Sequence, residues 1–441
     1  MVNTLLLLAG PAFVAASFAL TVQRVEPFAS HFYLCAWYGI IFTFDRLIAQ
    51  REGRSLIGRC GAGFWLLLIW SAAVWYFFEL VNFRIQNWYY IFVTDDTVSR
   101  VAHTFFAFAT VFPGIFWIDH YLGLLGVARS VPRRALTLTP ARLVRLQLLG
   151  VVFLALPLVW PRWFFPLVWT STFLILAPIN YRRGVDGLLR QLERGEYGPL
   201  LRLLLAGLIA GLFWESLNFW ARSKWIYTVP FFEDLKLFEM PVLGFFGFPP
   251  FAVECACIYR ALAWRRLCPA FGAYSQDPAL SARQEASPAR RGPVLMAAAL
   301  AVAFSLAVHV GVERWTFASV TPRVQRVEAL PESTRAALAD LGVRYLTDLE
   351  GHGSQALWRR LEDTLAAADR ARLRRVAALY LHQGIGVRHG NLLVAAGFTS
   401  LESLRGLTAG EVLERLRPAA GDGALPTSAQ VRLWLHRLSP N

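Results

Sequence analysis

Two stretches of the chain carry an acid, an amide and aromatic rings at matched spacing inside otherwise apolar sequence. Glu79, Asn82, Phe83, Trp88 and Tyr90 read E-x-x-N-F-x4-W-x-Y, and Glu215, Asn218, Phe219, Trp225 and Tyr227 read E-x-x-N-F-x5-W-x-Y. Further on, Phe116-x-x-Asp119 and Phe251-x-x-Glu254 repeat at nearly the same offset, so the copies agree over about forty residues. Residues three apart on a helix share a face, which places each carboxyl beside its amide. Ionisable groups inside a membrane face the protein interior or water and need partners. The chemistry this pattern supports is a carboxyl that holds or donates a proton, walled by indoles and phenols. A plainer reading pairs the two acids with Arg84 and Arg222, the latter beside Lys224, and leaves the Trp and Tyr side chains in the interfacial aromatic belt.

The second copy is the richer one. Trp214 and Trp220 flank Glu215, Glu239-Met240-Pro241 opens the next apolar run, and Glu254 lies deeper within it. The candidate proton donors are therefore Glu79, Glu215, Glu239 and Glu254. The candidate binding residues are Asn82, Trp88, Asn218, Trp214, Trp220, Trp225, Tyr227 and Arg222. Pro230 and Pro241 bracket FFEDLKLFEM, too short and too charged to span, which is expected to be an interfacial or re-entrant helix laid over the site as a lid. Gly244, Gly247, Pro249 and Pro250 predict a broken start to the following span. Such a break either exposes backbone groups to a ligand or serves close helix packing. His103 and His309 read as packed span histidines, Asp119-His120 as a solvated end, and Asp45-Arg46 as an interfacial pair.

The elements that must position these residues are membrane helices. Of the 441 residues 56% are hydrophobic, with 16 Trp and 33 Phe, above the 45–50% usual in soluble domains. Nine runs of about 20 apolar residues are expected at 4 to 22, 32 to 49, 63 to 82, 101 to 124, 143 to 160, 162 to 180, 199 to 219, 240 to 263 and 293 to 312. The fifth and sixth read as a tight hairpin at Pro161-Arg162. Arginines concentrate in alternate loops (46 to 62, 125 to 145, 181 to 198, 264 to 292), so the net charge of +14 reports topology rather than nucleic-acid binding. This predicts a cytoplasmic N-terminus retained as a first span, and a tail outside the cytoplasm on the same side as both E-x-x-N-F ends. The fold class is thus all-α: a polytopic bundle with a tandem four-span repeat (1–135 and 136–264), a cytoplasmic linker (265–292), a last span (293–312) and a soluble helical domain (327–441).

The five cysteines show neither a disulfide framework nor zinc spacing, and no Walker, H-x-x-x-H or G-x-S-x-G pattern appears, so neither metal nor cofactor is expected. In the tail, Leu338, Gly342, Val343, Leu346 and Leu349 match Leu393, Gly397, Phe398, Leu401 and Leu404. Before the second copy stands Gln383-Gly384-Ile385-Gly386-Val387, a G-h-G turn whose amides can meet an anion, with Arg388 next to it. This tail resembles tandem helix-hairpin-helix domains. The resemblance implies a phosphate-holding turn, whereas the predicted topology favours a protein partner over nucleic acid.

The segment W-E-x-x-N-F-W with K-W-x-Y-T-V-P-F and F-E-M-P-x-L-G-F-x-G-F-x-P-F resembles a family of bacterial polytopic membrane proteins of unassigned activity. It is more remotely similar to membrane lycopene cyclases and carotenoid hydratases. That second resemblance implies Glu215, Glu239 or Glu254 as the acid that protonates a polyene, with Trp214, Trp220 and Trp225 facing the cation, although their P-x-E-E acid pair is absent. The leading expectation is an inner-membrane protein of the bilayer that binds, or transforms, a lipid-like or isoprenoid molecule, with a tail that docks a protein partner. The alternatives are a proton-coupled transporter and a membrane anchor or scaffold.

Overall fold

A computed structural model describes residues 2–231, 235–268, 291–350, 354–421, 425–436 and 438. Most of the expected linker, and Phe232, Glu233 and Asp234 of the expected lid, lie outside the described residues. Among the described residues nine helices are long and apolar enough to cross a membrane, as the hydropathy predicts, and the chain is a multi-pass membrane protein. In chain order these begin with α1 (Val2–Val22), α2 (Phe28–Glu52) and α3 (Gly63–Ile85). The fourth span is α4 (Thr97–Phe108) continued by α5 (Val111–Leu124). Then come α6 (Pro140–Val159), α7 (Val168–Arg182), α8 (Gly198–Trp220), α9 (Phe248–Trp264) and α10 (Arg291–Gly311). The fifth and sixth spans form the expected hairpin, because Trp160 leaves the helical region and Pro161 starts a new turn that reverses the chain.

The two copies fold alike. In each, the first two helices pack along their length (α1 with α2, α6 with α7), and the third and fourth spans carry the core aromatics. Phe78, Phe112, Phe116, Trp117, Phe251 and Tyr259 are almost fully buried there. Both fourth spans are broken near the same depth. At the first break Ser71 on α3 donates to the Phe108 carbonyl and accepts from the Phe112 amide, each at 3.0 Å. This satisfies backbone groups that an apolar surround would otherwise leave unpaired. The second break is a 3-10 turn, Val242–Gly247, before α9.

After its third span each copy turns into a four-residue strand: β1 (Trp88–Ile91) and β2 (Lys224–Tyr227). They pair antiparallel across the two copies, with Trp88 opposite Tyr227 and Tyr90 opposite Trp225. Strand side chains alternate between faces. Trp88, Tyr90, Trp225 and Tyr227 accordingly point into the membrane half, while Tyr89, Ile91 and Ile226 join the core of the tail. Among the described residues of the expected lid no helix forms. Lys236–Leu237 (β3) and Met240–Pro241 (β4) pair as a minimal hairpin, with Phe238 in the left-handed region at φ 59°. With Pro241 fixing one strand and few residues to bury an apolar face, a hairpin satisfies the backbone where a one-turn helix would not.

The tail consists of α11 (Glu332–Asp340), α12 (Ser354–Thr364), α13 (Ala367–Leu381), α14 (Gly386–Ala395), α15 (Ala409–Ala420) and α16 (Ser428–His436). It joins the membrane half earlier than residue 327. The Ala318 amide donates to the Tyr90 carbonyl (2.8 Å), and the Val93 amide to the Ser319 carbonyl (3.1 Å), so the chain after α10 runs parallel beside β1.

Candidate functional site

Each acid-and-amide motif builds one helix end. In the first copy the helix stops at Gln86, in the left-handed region at φ 52°. Asn82 then takes over the freed backbone: its Oδ1 accepts from the Asn87 amide (2.9 Å) and its Nδ2 donates to the Trp88 carbonyl (3.0 Å). In the second copy Asn218 does the same for Trp225, accepting from its amide (2.9 Å) and donating to its carbonyl (2.8 Å). The extra residue of the second motif is absorbed in the turn, so the strands stay in register. The two asparagines are positioning residues: both hold the backbone that follows the helix end.

The two glutamates are fully buried, and their partners are aromatic rather than basic. Glu79 Oε1 accepts from Tyr90 (2.6 Å), Trp88 (2.9 Å) and Trp75 (3.0 Å). Glu215 Oε1 accepts from Tyr227 (2.7 Å), whose oxygen in turn accepts from Trp225 (2.8 Å). Each Oε2 has no partner. The expected counter-charges are elsewhere: Arg84 donates to the Val159 carbonyl (3.2 Å), Arg222 pairs with Glu26 (3.2 Å) and Asp348 (3.6 Å), and Lys224 pairs with Glu239 (2.7 Å). An indole or phenol satisfies a buried carboxyl without bringing a second charge out of water, which is the costlier arrangement. Burial first, and then the adjoining glutamates, push both phenols well above their usual range, so Tyr90 and Tyr227 act as donors.

The copies differ at one point. At the position matching Trp75 the second copy has Gly211, and a Cβ there would lie 2.2 Å from Phe248 Cδ2. Phe248 occupies the space an indole would need, which leaves Glu215 with fewer donors than Glu79.

In front of the tyrosines lies a cavity of about 140 Å³, roughly ten times the 10–15 Å³ that one water requires. Its wall is mostly aromatic: Trp75, Trp88, Trp169, Trp214, Trp225, Tyr33, Tyr90, Tyr227, Phe108, Phe248, Phe251 and Phe317 all contribute. The polar exceptions include His103, Thr104, Asn87, Ser223 and Lys224. His103 Nδ1 lies 2.7 Å from His31 Nδ1, so one ring donates and the other accepts.

Of the candidates read from sequence, Trp88, Trp214, Trp225 and Tyr227 line the cavity, while Glu79 and Glu215 stand behind it. Glu254 does not reach it: its Oε1 accepts from the Thr172 amide (2.8 Å) at the junction of α9 with α7. Glu239 is bound to Lys224, and Trp220 is 56% exposed and packs edge-on to Phe18. The four candidate acids thus have separate partners: Glu79 and Glu215 take aromatic donors behind the cavity, Glu239 takes Lys224 and Glu254 the Thr172 amide. Arg222 instead ties the membrane half to the tail. Gly244 packs against Met240 of the preceding strand, and Gly247 against Trp169 of α7. Trp75, one helical turn before Glu79, was findable from its spacing; Tyr33, Trp169, His31 and Phe317 carry no comparable signal.

The tail's G-h-G turn packs closely against the membrane half. Gly384 and Gly386 have φ 74° and 68°, and Cβ atoms there would lie 2.1 Å from Ile91 and 2.4 Å from Ser319. The turn is closed against β1 and its neighbour. Among the described residues no cluster of three or more His, Cys, Asp or Glu is placed to hold a metal ion. Compared with known proteins, the chain matches no family model, no curated protein and no solved structure.

Proposed function

We propose that this is a lipid-binding integral membrane protein whose aromatic cavity takes an apolar, unsaturated chain of lipid or isoprenoid type. The observation that carries the reading is a cavity walled by rings from both copies of the motif, with only a few polar groups among them. Aromatic faces suit unsaturated carbon, and a largely apolar cavity with few convergent polar groups is the usual form of a small-molecule site. Acid–base chemistry on such a ligand would run through the hydroxyls of Tyr90 and Tyr227, since these line the cavity and the carboxyls behind them do not. The reading places the protein in a bacterial inner membrane with the tail outside the cytoplasm.

Purified full-length protein, beside an Ala107→Phe variant that fills the cavity, tests this by mass spectrometry of co-purifying molecules. A stoichiometric lipid or polyene in the wild type that is lost in the variant is expected. Bulk phospholipid alone, equal in both, would count against the cavity as a binding site.

A further inference from the structure

Beside the aromatic cavity lies a second and larger hollow of about 710 Å³. It is formed by the end of α3 (Arg84), the turn into the sixth span (Arg162), the chain after β2, and α16 of the tail (Arg432, His436). Asn87 and Val229 line both hollows, so the two share a wall. Among the described residues lining the second hollow there are three arginines and a histidine, and no carboxylate.

Among the described residues the contacts of the three arginines are with neutral groups. Arg84 donates to the Val159 carbonyl (3.2 Å), Arg432 to Ser428 Oγ (3.1 Å), and Arg162 lies over the Trp163 ring at 5.4 Å. Guanidinium groups remain charged at every physiological pH, and their planar forks match the oxygens of a phosphate. Three of them converging beside an apolar cavity, at the outer ends of two spans, describe a site for a molecule with an anionic head and an apolar chain.

We propose that the two hollows are one binding site for a single-chain phosphate or diphosphate ester. The head lies among Arg84, Arg162 and Arg432, and the chain passes Asn87 and Val229 into the aromatic cavity. This rests on the cavity reading above and names its ligand class. The tail supplies Arg432, so the site is incomplete without it. The cavity volume of about 140 Å³ suits part of one slender chain better than the paired chains of a bilayer phospholipid.

The test uses the full chain in phosphatidylcholine nanodiscs, with quenching of the cavity tryptophans as readout. Farnesyl phosphate, farnesol, inorganic phosphate and the two-chain dioctanoyl phosphatidic acid are titrated. Farnesyl phosphate should bind roughly tenfold or more tightly than each of the others. Arg84→Gln and Arg432→Gln should remove that advantage, with farnesol binding unchanged, while Arg432→Lys restores part of it. The altered arginines are exposed, and unchanged farnesol binding verifies that each variant is folded. Equal binding of farnesyl phosphate and farnesol, indifferent to the arginines, overturns the head site and leaves the cavity reading standing. Inorganic phosphate or phosphatidic acid binding as tightly as farnesyl phosphate overturns the single-chain amphiphile. Absence of binding by every chain-bearing probe overturns the cavity reading and this inference with it.

Discussion

At the scale of single residues, the two copies make unequal hydrogen bonds from one motif. Tyr90→Phe removes one of three donors to Glu79, whereas Tyr227→Phe removes the phenol donor to Glu215 and the acceptor of Trp225 together. An unsatisfied buried polar group costs about 1–3 kcal/mol. We therefore expect Tyr227→Phe to destabilise by about 2 kcal/mol and Tyr90→Phe by about 1, read from thermal unfolding in one detergent; the reverse order would show that the donors are not what holds these acids. In the tail, His389 is 5% exposed with Nδ1 unpartnered. Burial, and then Arg388, lower its imidazole from the ordinary 6.5 to about 4. The neutral form is the folded one, so its stabilisation is complete above about pH 6.5 and is lost as pH falls toward 4, up to about 3 kcal/mol. The tail of the wild type should lose more thermal stability between pH 7 and pH 5 than that of His389→Gln, and equal losses would remove His389 as the cause.

At the scale of elements, hydropathy located the nine spans found among the described residues, because a run of about 20 apolar residues has few other destinations. The duplicated motif was legible too, since its spacing survives with one insertion. The β-ribbon was not: Trp88–Ile91 and Lys224–Tyr227 are four residues each, and their partner lies in the other copy, where no local pattern points. The same blindness misassigned the glutamates' partners. Arg84 and Arg222 are close in sequence, but Arg84, in the last turn of α3, donates to the Val159 carbonyl and Arg222, past the end of α8, pairs with Glu26 and Asp348, while the strand folds Tyr90 and Tyr227 back. The segment from Pro230 was misread because its charge fits a surface helix as well as a hairpin. The tail turn offers a test of the docking that sequence could not reveal. Gly384→Ala meets both a left-handed φ and Ile91, whereas Gly397→Ala meets a left-handed φ of 90° with open space around it. Gly397→Ala should cost about 1 kcal/mol, with the tail still docked. Gly384→Ala should cost more and speed protease release of the tail; equal release rates would mean that the turn does not hold the tail in place.

At the scale of the whole molecule, the tail and the motif-bearing ends of both third spans lie on one side. Asp95 takes Arg323 and, at 3.1 Å, Arg326; Arg24 donates to the Thr347 carbonyl, and Tyr89 bonds Thr427 at 2.8 Å. An alkaline phosphatase fused after Asn441 should be active in a bacterial host, since the arginine-rich loops 46 to 62, 125 to 145 and 181 to 198 are the expected cytoplasmic ones; activity only from a cytoplasmic reporter would invert the expected orientation. The ribbon of β1 and β2 belongs to two cores at once, one face walling the cavity and the other buried in the tail. Occupancy of the cavity and engagement of the tail are thus two ligands of one shared element, and linkage makes their effects reciprocal. Whatever factor a bound chain adds to the tail's hold on the ribbon, the docked tail returns to the affinity for that chain.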